Sequence, residues 1–239
     1  MSCPAGRTVV LVHGAFTDAS SYAAVIPLLL REGLDVVAPA VPNRGLGGDS
    51  AYVASVVRAI PGPVVLVGHG YGGAVITVAG VEDNVMALVY LAGYALDEGE
   101  CLGELQGKFP APPLAGALVR TQVSGRGPGG TETEVSVDVA RFPALLAAGI
   151  DSVAARVLAV SQRPLADRAL TEDAPVAAWQ TKPSWGLVAA QDRAIDPDLE
   201  RYGYLRAGMT RYEIDSSHLV MLARPETVVR LIREAVEAV

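Results

Sequence analysis

The feature that most limits what this chain can fold into is a series of short apolar runs, each closed by a glycine or a polar residue and followed by a stretch of helical periodicity. Thr8-Val9-Val10-Leu11-Val12 is the first of them, β-branched, without polar alternation and stopped at once by His13-Gly14. A run of that kind is what a strand needs when both faces of its sheet are covered. Similar runs recur at Asp35 to Ala38, Val64 to Val67, Ala87 to Leu91, Trp185 to Ala190 and Arg211 to Ile214. Helical patterns lie between them at 22–32, 50–60 and 71–81, and a last one runs from Pro225, which suits a first helical turn, to Val239. Strand and helix in alternation predict right-handed crossovers and an α/β fold, with a mainly parallel sheet of about six strands flanked by helices.

The alternation fails between Asp97 and Lys182, where Ala, Pro and Gly dominate and no buried-strand run occurs. This stretch is expected to be a mainly helical lid, 97–182, inserted into a core made of 1–96 and 183–239. Short helices are expected at Val153 to Gln162 and Leu165 to Thr171, with a glycine-rich turn at Gly125-Arg126-Gly127-Pro128-Gly129-Gly130. A chain of 239 residues, about half of them apolar (51%), has enough to bury for one good-sized domain.

Charge and cysteine content narrow the partners. Twenty-six acidic against nineteen basic side chains give a net −7, with no basic block, so no footprint for nucleic acid or an anionic membrane is present. The expected partner is a small-molecule substrate, with a homodimer left open. Cys3 and Cys101 cannot make a disulfide framework and neither belongs to a C-x-x-C pair, which fits a reduced, cytoplasmic protein. The first apolar run is too short for a membrane span and lacks a signal-peptide cleavage pattern. No phosphate fingerprint occurs, and three scattered histidines make a poor metal set, so neither a cofactor nor a metal is expected.

Chemistry-bearing residues gather at the carboxyl ends of the expected strands, where open α/β sheets place their ligands. Val12-His13-Gly14-Ala15-Phe16 follows the first strand. Val67-Gly68-His69-Gly70-Tyr71-Gly72-Gly73 has the spacing of a sharp strand-to-helix elbow that lifts its central residue over the sheet. Asp192 follows the run at Trp185 to Ala190, and His218 follows the last strand. The only histidines are His13, His69 and His218, so the choice of a base is narrow.

Together these motifs resemble the α/β-hydrolase superfamily over nearly the whole chain, and within it small bacterial esterase-like members related to plant methyl-ester esterases and hydroxynitrile lyases. The resemblance rests on Leu11-Val12-His13-Gly14-Ala15-Phe16, the elbow, Gln191-Asp192-Arg193-Ala194-Ile195-Asp196-Pro197, and Ser217-His218-Leu219-Val220-Met221-Leu222 with Pro225 behind it. It implies that His218 is the base and Asp192 its acid, with Asp196, Asp97 and Asp215 as competitors for the latter place. It also implies a backbone oxyanion hole, one N–H from Tyr71 and one from Ala15, with Phe16 as the alternative second donor. His13 is expected to shape the oxyanion loop, and His69 to pack under the elbow.

The pattern breaks at its centre. Where the family has G-x-S-x-G, this chain has Gly70 at the serine position, and no neighbouring side chain replaces the nucleophile. Cys101 has no neighbour in sequence that would activate it. The leading expectation is an enzyme acting on an apolar small molecule through a His218/Asp192 acid–base dyad: a lyase, cyclase, isomerase or water-activating hydrolase. The alternatives are a serine esterase inactivated by a serine-to-glycine change at 70, and a non-catalytic small-molecule-binding protein. Leu102, Leu105, Phe109, Leu114 and Phe142 are the apolar lid residues expected near the pocket.

Overall fold

The computed structural model describes residues 6–125 and 130–239. Cys3 and the Arg126 to Gly129 part of the glycine-rich turn lie outside the described residues. Strands β1 (Thr8–Val12), β2 (Asp35–Val37), β3 (Val64–His69) and β4 (Val85–Leu91) alternate with helices α1 (Ile26–Arg31), α2 (Leu46–Arg58) and α3 (Tyr71–Ala79). After β4 the chain leaves the sheet and builds α4 (Leu102–Gly107), β5 (Leu118–Ser124), β6 (Thr131–Val137), α5 (Phe142–Leu145), α6 (Ser152–Val160) and β7 (Leu165–Ala166). It returns as β8 (Ser184–Ala189), α7 (Pro197–Arg206), β9 (Thr210–Ile214), α8 (Val220–Ala223) and α9 (Pro225–Glu237).

The main sheet has the order β2-β1-β3-β4-β8-β9, and every neighbouring pair is parallel. Each apolar run of the sequence is one of its strands. The central strands β1 and β3 are buried at every position, while the edges β2 and β9 are partly exposed, as the polar Asp35 and Thr210-Arg211 imply. Helix α9 lays Val228, Leu231, Ile232, Ala235 and Val236 on one face of the sheet beside α1, and α3 and α2 cover the other face. Burying one such aliphatic side chain is worth about 1.5–3 kcal/mol, so the sheet and its two helical layers carry the stability of the fold.

The insertion departs from a purely helical lid. Beside its short helices it holds a second sheet, β5-β6-β7, antiparallel throughout, whose hairpin is closed by Gly125 N–H donating to the Gly130 carbonyl at 2.7 Å. The stretch expected to be helical from Leu165 begins as strand β7 and continues as a single tight turn, Asp167–Leu170. These strands lack the uniform burial of the core runs: Thr131 and Arg120-Thr121-Gln122 keep polar side chains toward solvent, and Glu132 and Glu134 pair with Arg168 and Arg44. No helix among the described residues is long and apolar enough to cross a membrane.

Candidate active site

The apex of the elbow is Gly70, with φ +53° and ψ −119° between the fully buried β3 and the start of α3. A side chain at that φ is strained, and glycine is not. The elbow can be this tight because α3 runs close beneath the first strand: a Cβ on Gly72 would come within 2.4 Å of the Val12 carbonyl oxygen. Gly70 itself is tied on both sides, its N–H donating to the Leu91 carbonyl and its own carbonyl accepting from Gly73 and Tyr94 N–H.

Over this apex stands His218. A Cβ placed on Gly70 would lie 3.2 Å from His218 Nε2 and 3.4 Å from Cε1, so the imidazole faces the space a nucleophile side chain would fill. The other ring nitrogen, Nδ1, is 2.6 Å from Asp192 Oδ2, and both side chains are buried. Asp192 is fixed in turn: its Oδ1 accepts the N–H groups of Ala194 at 2.6 Å and Ile195 at 3.0 Å. The competing acids stand elsewhere. Asp196 caps α7 by accepting Asp198 N–H, Asp97 accepts from Gln180 and Glu98, and Asp215 is exposed.

Two other histidines support this geometry. His69 Nε2 donates to the His218 carbonyl at 3.0 Å and its ring centroid lies 4.4 Å from that of His218. Burial first, and then the neighbouring His218, hold the His69 imidazole well below its ordinary value, so it is a neutral donor packed under the elbow. His13 bonds the Gly14 carbonyl through Nδ1 at 3.0 Å and is likewise pushed down by burial; it shapes the loop after β1.

The loop after β1 and the start of α3 each carry a free main-chain donor. The N–H groups of Ala15 and Tyr71 meet no protein acceptor among the described residues. Phe16 is different and has to be struck out as an oxyanion donor, because its N–H is already taken by the Arg163 carbonyl at 3.0 Å. The residue instead contributes its ring to the pocket, from a backbone held at φ +63°. The Tyr71 side chain is drawn away by its hydroxyl, which donates to Asp49 Oδ2 at 2.8 Å.

The pocket in front of His218 and Gly70 occupies about 610 Å³ including its mouth. Leu102, Leu114, Leu118, Val135, Leu165 and Leu170 of the insertion roof it, and no Lys, Arg, Asp or Glu lines it. Of the apolar lid residues picked from the sequence, Leu102 and Leu114 reach it; Leu105 and Phe142 are core, and Phe109 packs on Tyr202 with ring centroids 5.6 Å apart. Leu118, Val135, Leu165 and Leu170 escaped the sequence reading, and so did three polar residues. Tyr94 and Gln106, hydrogen-bonded to each other, line the pocket, and Glu200 is wholly buried behind Asp192. A signal for Glu200 was present: it shares the buried face of α7 with Leu199, Gly203 and Tyr204. Cys101 is buried, and no group of three or more His, Cys, Asp or Glu among the described residues is arranged to hold a metal.

A parallel sheet carrying an elbow after its third strand, with a histidine and an acid following its last two, defines a class, and residues 9–231 match the alpha/beta hydrolase family. The chain belongs to that family. It is 31% identical over 126 residues to a carbendazim hydrolyzing esterase of Nocardioides sp. (strain SG-4G), a match that takes in 46% of this chain and 51% of that protein, so it spans about half the length of the curated relative. Polyneuridine aldehyde esterase superposes with a TM-score of 0.81 at 18% identity, covering 95% of this chain and 98% of the other. Tomato methylketone synthase I complexed with 2-tridecanone superposes with a TM-score of 0.78 at 17% identity, covering 98% and 99%. At those identities the likeness is one of fold.

Proposed function

We propose that this protein is an enzyme that acts on an uncharged, apolar carbonyl compound by general acid–base catalysis, without a seryl intermediate. His218 moves the proton, Asp192 orients it, the Ala15 and Tyr71 N–H groups receive charge on the carbonyl oxygen, and Gly70 leaves the nucleophile position open. The observation that carries the reading is the imidazole aimed into the gap above Gly70 while its far nitrogen is bound to Asp192.

The chemistry follows from that placement. Asp192 accepts from Nδ1, which leaves the Nε2 lone pair facing the gap. A substrate whose carbonyl oxygen lies on the two amides presents its α C–H to Nε2. Removal of that proton puts negative charge on an oxygen already met by two donors, and its return elsewhere completes an elimination, isomerisation or cyclisation. A positioned base contributes about 10²–10⁴-fold and the oxyanion donors a further large factor. The uncharged lining fits a neutral substrate, and methylketone synthase I supports a long-chain ketone as a first probe.

A second reading, hydrolysis by a water that His218 activates in the gap, is favoured by the esterases among the relatives. One experiment separates the two. The protein is incubated with 2-tridecanone in deuterium oxide and with activated esters in ¹⁸O-water, beside His218→Ala. Deuterium uptake next to the ketone carbonyl that requires His218 is the expected result. Ester turnover alone would move the assignment to hydrolysis. Ketone binding with neither activity, or activity indifferent to His218, would overturn the proposal and leave a binding protein.

A further inference from the structure

Behind the dyad lies a carboxyl group that the reaction above does not use. Glu200, on α7, is fully buried. Its Oε2 accepts the Ala189 N–H at 3.1 Å, whereas Oε1 finds no donor and no cation. It lies beside Asp192, since both meet Ala189: Glu200 takes the Ala189 N–H, and the Ala189 carbonyl accepts the Asp192 N–H at 3.0 Å, while the Asp192 oxygens are held by Ala194, Ile195 and His218. Two buried carboxylates side by side cannot both be charged, since each would face a like charge with no water to screen it. Asp192, with two N–H donors and the imidazole, has the partners a negative charge needs, and Glu200 has only one.

We propose that Glu200 is a positioning residue of the dyad that keeps its proton in the folded protein and donates it to the Asp192 carboxylate. The two acids then share one negative charge. The donated O–H satisfies the orphaned Oε1, holds Asp192 in its rotamer and draws off charge that would otherwise fall on His218. The other groups that face Glu200 do not supply a countercharge. Arg201, next to it on the helix, is turned outward onto Asp198 and Glu213. Tyr204 on the same helix accepts the Gly93 N–H, and Tyr94, beyond β4, accepts from Gln106; burial keeps both phenols neutral. Burial, and after it the Asp192 charge, push the Glu200 carboxyl well above the usual carboxylate range.

The inference uses the catalytic reading only for its effect on rate; its test does not need turnover. The pH at which His218 takes its proton is followed by NMR of the imidazole nitrogens in the full chain and in two variants. Glu200→Gln puts an N–H where the O–H was, with the amide oxygen on Ala189, and should leave that pH within a few tenths of a unit. Glu200→Leu deletes the donor, restores full charge to Asp192 and should raise it by about one unit, tenfold in proton affinity. An ionised Glu200 predicts the opposite sign, because both variants would then remove a negative charge and lower it. The infrared difference spectrum between parent and Glu200→Gln at neutral pH should contain the C=O stretch of one protonated carboxylic acid. A downward shift in Glu200→Gln, or no such band, overturns the proposal. If Glu200→Leu does not fold, these two results decide it alone.

Discussion

Placing serine at position 70 tests the site and the fold at once. The backbone there has φ +53°, so any side chain carries strain of about 1–3 kcal/mol. The new Cβ would sit 3.2 Å from His218 Nε2 and 3.4 Å from Cε1, close enough that the ring must retreat by a few tenths of an ångström. That ring is held by Asp192 at 2.6 Å and lies against His69, which limits how far it moves without cost. A domain with about 5–15 kcal/mol of stability tolerates this, and at about 2–4 °C of Tm per kcal/mol the fall should be roughly 2–12 °C. Function should change in two opposite ways. The hydroxymethyl fills the gap proposed for substrate, so His218-dependent exchange into 2-tridecanone drops at least tenfold. The hydroxyl gains a base and two oxyanion donors, so the variant reacts with a fluorophosphonate, which the parent does not, and shows burst kinetics on an activated ester. Thermal melts by circular dichroism, intact-mass labelling and the exchange assay read the three effects. Exchange as fast as in the parent would refute the reasoning, because the space over Gly70 would then not be where the reaction takes place.

Asp192→Asn should lower that exchange by about 10²–10⁴-fold while leaving ketone affinity within a factor of two, since the acid orients the imidazole and does not line the pocket; rates and titration of ketone binding check it. Gly72→Ala drives a methyl to 2.4 Å from one backbone oxygen and 2.8 Å from another, neither able to yield, and should cost about 3 kcal/mol or more in urea unfolding. Glu100 is nearly buried, which opposes its ionisation, but hydrogen bonds from Arg206 and Lys108, both 2.7 Å, hold its carboxyl down to about 2. Its folded value lies below the ordinary 4.5, so its contribution is complete above that pH and is lost as pH falls towards 2. Glu100→Gln should therefore lower the urea midpoint at pH 7 and flatten its fall between pH 4.5 and 2.

What could be read from the sequence was whatever depends on local pattern. Val64 to Val67 and Thr8 to Val12 are strands because nothing polar interrupts them, and Gly70 is an apex because glycines flank it at the elbow spacing. The pairing of His218 with Asp192 was legible through the resemblance, which places an acid and a histidine after the last two strands. What escaped depends on partners far away in sequence. Strand β5 is mostly exposed and gains its identity only by pairing with β6. Phe16 loses its N–H to Arg163, 147 positions on, and no local rule anticipates that bond. Glu200 falls on the helix face of Leu199, Gly203 and Tyr204, but the helical pattern does not tell that Asp192 lies beside it.

The roof of the pocket has a consequence for how such a chain diversifies. Leu118, Val135 and Leu165 come from three different strands, yet they belong to one hydrogen-bonded sheet. Side chains alternate along a strand, so Val119, Glu134 and Ser136 project to the reverse side. Half of the insertion's apolar contribution to the pocket thereby sits on one surface of a small panel over the dyad, beside Leu102, Leu114 and Leu170. On the reverse surface Glu134 ties the panel to Arg44 of the core, while a handful of exchanges on the inner one would reshape the pocket without touching the machinery beneath.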